Sequence, residues 1–325
     1  MIVFRDPAEV PSDFGPCVVV IGKFDGVHSG HRAVIDRAQV EAVSLGAKVV
    51  AVTFDRNPLA LLAPDKCPES LIGVHQKVRL LSDTGVDAVL VLRFDEHLAS
   101  LTAEEFARAV LMDALAARAV LVGSDFRFGR GGAGTADTLR SFGRAHGFDV
   151  DIVDDVRAAD GGRRVSSTWI RELLSAGHVG DARKLLGRDH AVVGEVVHGL
   201  KRGREIGYPT ANLSHDLEGF VPADGVYAGW LVDEADAGGL RPGTRYPAAI
   251  SIGTNPTFDD VSARQVEAYV LDETDLDLYG HHVEVRFVER IRGMGAFAGV
   301  DALVAQIADD VERTREVLGR DQPPD

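Results

Sequence analysis

The first half of the chain is punctuated by short apolar runs: CVVVIG (17–22), KVVAVTF (48–54), DAVLVLR (87–93), RAVLVG (118–123) and FDVDIV (148–153). The first four carry unbroken apolar stretches, the signature of strands covered on both faces, while FDVDIV alternates. Helical patterns stand between them. Val34, Ala38, Ala42 and Leu45 recur at helical spacing, and Thr102 followed by Glu105 makes a capping box ahead of Phe106 and Val110. This βαβα rhythm predicts a doubly wound α/β domain with a parallel sheet over residues 1–187.

After Gly187 the rhythm changes. AVVGEVV, VYAGWLV, YPAAISIG, RQVEAYVL and HVEVRFVERI follow one another without helices, separated by turn-rich segments such as LSHDLEG and DEADAGG. Such spacing predicts a closed antiparallel barrel or a sandwich over residues 188–325. One long helix follows, whose Val300, Leu303, Val304, Ile307, Val311 and Leu318 form a stripe suited to closing the barrel's side. The tail DQPPD carries no pattern and is expected to be disordered.

Composition narrows the function classes. A length of 325 residues is ample for two cores. A formal net charge of −15 opposes a phosphate backbone, which argues against nucleic acid as a partner while leaving room for a small phosphate held by local arginines and helix N-termini. No apolar run approaches a membrane span, and MIVFRDPAEVPSDFG lacks the basic and apolar regions of a secretory signal, so the expectation is a cytoplasmic protein without a membrane partner. Cys17 and Cys67 form neither a paired motif nor a zinc spacing; Cys17 opens an apolar strand and is expected in the core.

The first candidate site is GKFDGVHSGH (22–31), directly after the first strong strand. Gly22 and Gly26 permit a tight turn, Phe24 lies between them, and His28 and His31 stand one helical turn apart, so both imidazoles can face one ligand. A strand-to-helix turn at the C-terminal edge of a parallel sheet is where nucleotide phosphates meet free N–H groups. Two blander readings are a structural turn with solvent-facing histidines and a metal site of Asp25, His28 and His31; position and glycine density weigh against both. Further on, Ser167 and Thr168 open a helix whose first turn carries Arg171, suited to phosphates, although a plain serine N-cap has the same appearance. A rival is GRGGAG (129–134), which fits the dinucleotide pattern GxGxxG but starts six residues after its strand.

The second half has no P-loop but supplies GEVVHGLKRGREIGYPTAN (194–212), in which Gly199, Gly203 and Gly207 with intervening basic residues suit a flap over phosphates. Glu267, taken alone, is a solvent-facing strand residue, sharing one face with Gln265 and Tyr269. Asn212, taken alone, is a turn residue.

At these residues the chain resembles the HxGH nucleotidyltransferases, and more closely the bifunctional riboflavin kinase/FMN adenylyltransferase family, the prokaryotic FAD synthetases. TFDRNP (53–58), VGSDFRFG (122–129), RVSSTWIR (164–171), PTAN (209–212), SIGTNPTF (251–258) and VEAYVLD (266–272) follow in the family's order, so the resemblance covers nearly the whole chain. It implies a Rossmann-like nucleotidyltransferase domain and a riboflavin kinase-like barrel with a terminal helix. It implies that riboflavin is phosphorylated to FMN and FMN adenylylated to FAD, with ATP and Mg²⁺ in both steps. In the first domain, Gly22, Phe24, His28, His31, Asp125, Arg164, Ser167, Thr168 and Arg171 would serve ATP, His28 and His31 catalytically. Phe54, Phe126 and Phe128 would supply apolar flavin contacts. In the second, Gly199, Gly203 and Gly207 would cover the phosphates, Thr210 and Asn212 would hold Mg²⁺, and Glu267 would be the general base. Lys23 departs from the family, which more often has a neutral residue there. The rival to an enzyme is a flavin-binding protein that has lost its chemistry, and the presence of every catalytic residue type speaks against it.

Overall fold

A computed structural model describes residues 1–158, 162–199, 203, 206–233, 243–254, 264–273 and 276–320. The chain divides into two compact units, 1–167 and 168–325.

In the first unit the described strands form a parallel sheet in the order β1-β4-β3-β2-β5-β8. These are β1 (Ile2–Phe4), β2 (Cys17–Ile21), β3 (Lys48–Phe54), β4 (Ala88–Leu92), β5 (Ala117–Gly123) and β8 (Asp149–Val153). Between them run α1 (Ser29–Leu45), α2 (Leu59–Leu62), α3 (Val74–Ser82), α4 (Glu96–Ser100), α5 (Ala103–Phe106) and α6 (Ala136–His146). The uniformly apolar runs are the inner strands: β2 and β4 are buried at every residue, Cys17 included. From β2 the chain winds outward through β3 to β4, then returns to β5 on its other side. That makes the carboxyl end of β2 the point where strand order reverses, the place where open α/β sheets bind ligands.

The Thr102–Glu105 capping box forms as expected, with reciprocal bonds of 3.2 and 2.7 Å. α5 then passes into a π-helical stretch, Ala107–Ala114, which buries Val110 and Leu111. On α1 the buried positions are Ile35, Ala38 and Ala42. Val34 and Leu45 flank that stripe, Leu45 exposed at the helix end before the left-handed Gly46. β1 was not anticipated; three residues pairing at the sheet edge are too few to show a period.

GRGGAG falls in a small hairpin of β6 (Arg127–Phe128) and β7 (Gly134–Thr135), away from the strand-to-helix turns of the parallel sheet. Gly134 is needed there because a Cβ would meet Ala103 and the Phe128 ring. The dinucleotide reading therefore loses its structural context.

The second unit begins with α7, which runs Ser167–Ser175 across the boundary, and α8 (Val179–Leu186). The described strands then close an antiparallel barrel in the order β10-β13-β12-β11-β14-β9. They are β9 (His190–Val197), β10 (Ala211–Leu213), β11 (Gly225–Asp233), β12 (Thr244–Thr254), β13 (Arg264–Val270) and β14 (His282–Arg292). β13 shows the alternation of a barrel wall, with Val266, Ala268 and Val270 inward. β11 is buried at every position because its outer face lies beneath the terminal helix α9 (Val300–Arg320), where Ala228 and Trp230 meet Val317 and Leu318. The contact seam of α9 is Val311, Thr314, Val317 and Leu318; Val300, at its start, is exposed. Arg292 fixes the helix with bonds of 2.9 and 2.7 Å to the buried Asp310. The turn segment DEADAGG beyond Asp233, residues 255–258 of SIGTNPTF, and the tail DQPPD lie outside the described residues.

Candidate active sites

The loop between β2 and α1 is strained in a way that sequence does not disclose. Phe24 and Val27 take left-handed φ angles of 47° and 40°, which for a branched valine costs on the order of 1–3 kcal/mol. Side-chain contacts hold it there. The Thr53 hydroxyl donates to the Lys23 carbonyl at 3.2 Å, Asp25 Oδ1 accepts from the Leu71 N–H at 2.8 Å, and the Ser167 hydroxyl donates to the Asp25 carbonyl at 2.7 Å. Lys23 itself is exposed.

The strain presents the histidines. His28 caps α1, and its ring stacks on that of His31 with centroids 3.7 Å apart and planes 16° from parallel; Phe24 packs edge-on against His31 at 5.2 Å. The middle glycine of HSGH leaves room for the His28 ring, since a Cβ on Gly30 would sit 3.1 Å from His28 Nδ1 and press the ring aside. His31 Nδ1 is buried without a protein hydrogen-bond partner. Burial foremost, then the neighbouring His28 and the cations Lys77, Arg164 and Lys23, hold the His31 pKa well below its ordinary value. His31 is therefore a neutral N–H donor at pH 7, ready to stabilise charge that develops beside it.

Ser167 joins this loop directly, and Thr168 and Arg171 follow it on the first turn of α7. Arg164 is engaged by Asp125 at 3.0 Å and Asp155 at 3.1 Å. Of the three aromatic candidates, Phe54 and Phe126 are half-buried, whereas Phe128 belongs to the core, stacked on Phe126 and tilted against Phe106. Asp25 is occupied by its bond to Leu71, and among the described residues no group of three His, Cys, Asp or Glu side chains is placed to hold a metal.

In the barrel, register does what spacing could not. Asn212 of β10 and Ser251 of β12 both pair across from Glu267 of β13, so the three side chains emerge on one face. Tyr208 packs against Tyr269 of the same face at 5.2 Å, laying the approach to PTAN over it. The Asn212 amide donates to Thr210 Oγ1 at 3.2 Å. Gly199 backs onto that amide so closely that a Cβ would lie 2.5 Å from Asn212 Oδ1. Gly199, Gly203, Thr210 and Asn212 line one open cleft, together with Glu273 and Tyr279. Glu267 stands outside the lining of that cleft. Gly207 has a left-handed φ of 89° in the turn before PTAN. The intervening Lys201, Arg202 and Arg204 lie outside the described residues.

Residues 10–169 match the family model described as FAD synthetase, and residues 186–318 match the one described as riboflavin kinase. A bifunctional riboflavin kinase/FMN adenylyltransferase of Escherichia coli K12 is 40% identical over 307 residues, covering 94% of each chain. The chain belongs to the bifunctional riboflavin kinase/FMN adenylyltransferase family. A relative from Pseudomonas fluorescens with the same description is 36% identical over 92% of each chain. A crystal structure from Streptococcus pneumoniae, described as a macrolide-efflux protein, superposes with a TM-score of 0.80 at 34% identity over 97% of this chain and 98% of the other. Among the described residues, no helix is long and apolar enough to cross a membrane.

Within the FAD synthetase region, sequence reasoning passed over Lys77, a buried lysine on α3 whose Nζ donates to the Phe54 carbonyl at 3.0 Å. Its signal was present: Lys77 stands three and four residues before the buried Leu80 and Leu81, on the apolar face of the helix. Within the riboflavin kinase region it passed over Tyr279, which packs on His198 at 3.9 Å at the edge of the cleft. Thr210 Oγ1 and Asn212 Oδ1 are hard oxygen donors against a glycine-cleared wall, which fits a magnesium ion sharing its coordination with substrate phosphates.

Proposed function

We propose that this chain makes FAD from riboflavin in two ATP-consuming steps, adenylylation by residues 1–187 and phosphorylation by residues 188–325. The observation that carries the reading is the pairing of two unrelated sites in one chain: the stacked His28 and His31 at the sheet's reversal point, and Glu267 in register with Asn212 on the barrel.

In the kinase step Glu267 accepts the proton of the riboflavin 5′-hydroxyl as that oxygen attacks the γ-phosphorus of ATP, and ADP leaves. Gly199, Gly203 and Gly207 let the backbone approach the phosphates. Thr210 and Asn212 would hold Mg²⁺, which when bound neutralises phosphate charge. In the adenylylation step an oxygen of the FMN phosphate attacks the α-phosphorus in line. His28 and His31 donate to the oxygens of the reacting phosphorus, and Ser167, Thr168 and Arg171 hold the β and γ phosphates that depart as pyrophosphate. Gly22 and Phe24 shape the turn, Asp125 and Arg164 border the nucleotide, and Phe54, Phe126 and Phe128 provide the apolar side of the flavin pocket. The functional boundary falls at residue 187, and the protein works in the cytoplasm on small molecules.

The test is to incubate the protein with riboflavin, ATP and magnesium and to separate the flavins over time. FMN appearing first and then giving way to FAD is expected. FMN alone would remove the adenylylation assignment, and no product would leave a flavin-binding role.

A further inference from the structure

Lysine is among the residues least often fully buried unless paired, yet Lys77 is only 8% exposed. Its one hydrogen-bond partner among the described residues is the Phe54 carbonyl at 3.0 Å, and no described carboxylate lies within ion-pair distance. An ammonium has three N–H donors, so two remain to be satisfied.

Where the ammonium sits is fixed by its neighbours. The Phe54 carbonyl is the carboxyl end of β3, next to β2. The preceding Thr53 bonds the Lys23 carbonyl, and the segment leading into α3 bonds Asp25 through Leu71. Lys77 is thus built into the rim of the loop that carries His28 and His31, and its charge is one of those acting on His31. Burial pulls its own pKa down, and the Asp25 and Asp55 carboxylates oppose that pull. Both acids are engaged elsewhere, Asp25 by Leu71 and Asp55 by the Phe94 N–H at 2.9 Å.

Adenylyl transfer brings two phosphate groups together: the triphosphate of ATP and the monoester of FMN. The phosphate-binding residues assigned above all serve the first. Arg164 is already shared between two aspartates. We propose that Lys77 seats the 5′-phosphate of FMN for its attack on the α-phosphorus of ATP. The inference rests on the adenylyltransferase reading of this unit. The FMN phosphate attacks as an oxyanion; its P–O bond to the α-phosphorus forms as the bond to the β-phosphate oxygen breaks, and pyrophosphate leaves with the electron pair. No proton transfer is required, so the attacking phosphate needs a fixed cation instead of a base, and a buried ammonium supplies one through charge-assisted hydrogen bonds.

The test uses the full chain with FMN and ATP–magnesium, following FAD, for the unaltered protein, Lys77→Met and Lys77→Gln. Gln removes the charge and, though one bond shorter, keeps N–H donors that can turn to the Phe54 carbonyl, so it decides the matter if Met does not fold. KM for FMN is expected to rise about 10- to 100-fold, the loss of a hydrogen-bonded charge, while KM for ATP stays within about twofold. Inhibition by lumiflavin, which carries the ring system without a phosphate, is expected to be unchanged. An equal rise in both KM values, no change in either, or a parallel loss of lumiflavin inhibition would overturn the assignment. If the unaltered protein makes no FAD from FMN, the adenylyltransferase reading fails, and the Lys77 assignment falls with it.

Discussion

Acid should loosen the barrel through a single buried histidine. His190, 1% exposed at the start of β9, bonds the Phe220 carbonyl at 2.6 Å through Nε2 and stacks near Phe287. Burial, with a smaller push from Arg188, lowers its pKa from 6.5 to about 4 despite the opposing bond to Phe220. Above pH 6.5 both folded and unfolded chains hold it neutral, and it contributes nothing to pH dependence. Below that value the unfolded chain takes up a proton that the folded chain refuses, so stability falls with pH until the folded value is reached. Between pH 7 and pH 5 the loss integrates to about 2 kcal/mol, equivalent to roughly 4–8 °C in the midpoint of a unit this size. Both tryptophans, Trp169 and Trp230, belong to the second unit, so their emission follows its unfolding. His190→Gln keeps an N–H for Phe220 and does not titrate in this range. Urea titrations at the two pH values should show the unaltered protein losing about 2 kcal/mol more than the variant. Equal losses in both proteins would refute the reasoning.

Further expectations concern the two chemistries and the barrel's closure. His28→Ala should abolish FAD formation from FMN while FMN formation from riboflavin continues, and Glu267→Gln should cut FMN formation by about 10²- to 10⁴-fold while FAD formation from supplied FMN continues; flavin chromatography reads both. Gly199→Ala forces a Cβ into the Asn212 amide and should lower riboflavin phosphorylation at least about tenfold, with a raised magnesium requirement in initial-rate assays. Asp310→Ala leaves Arg292 without its partner beneath α9 and should destabilise the second unit by about 3 kcal/mol in denaturant titrations followed by tryptophan emission.

Much of the fold was legible because burial writes itself into sequence. Apolar runs alternating with helical patterns named the parallel strands, and the later succession of strands without helices named the barrel. What stayed hidden was short or relational. β1 and β10 have three residues each, too few for any period. The placement of α9 depends on the Arg292–Asp310 bond, between residues eighteen apart that no local pattern connects. The first site was legible as a motif, but the reason for its middle glycine, the ring of His28 lying over it, is a three-dimensional fact. The left-handed backbone at Val27 contradicts local preference, and contacts from β3, the approach to α3 and Ser167 help to maintain it. Lys77 stayed hidden because a lone lysine on a helix is usually a solvated side chain.

The pairing of Asn212 and Ser251 with Glu267 limits how this barrel can change over evolutionary time. A strand has a period of two, so deleting or inserting one residue within β10, β12 or β13 would turn every later side chain of that strand through the wall. Glu267 would enter the apolar lumen, and Ala268 or Val266 would take its place outside. Length variation is therefore tolerable in the connecting loops and forbidden in these three strands. A point substitution at Glu267 removes one group, whereas a single-codon deletion just before it displaces the whole constellation at once.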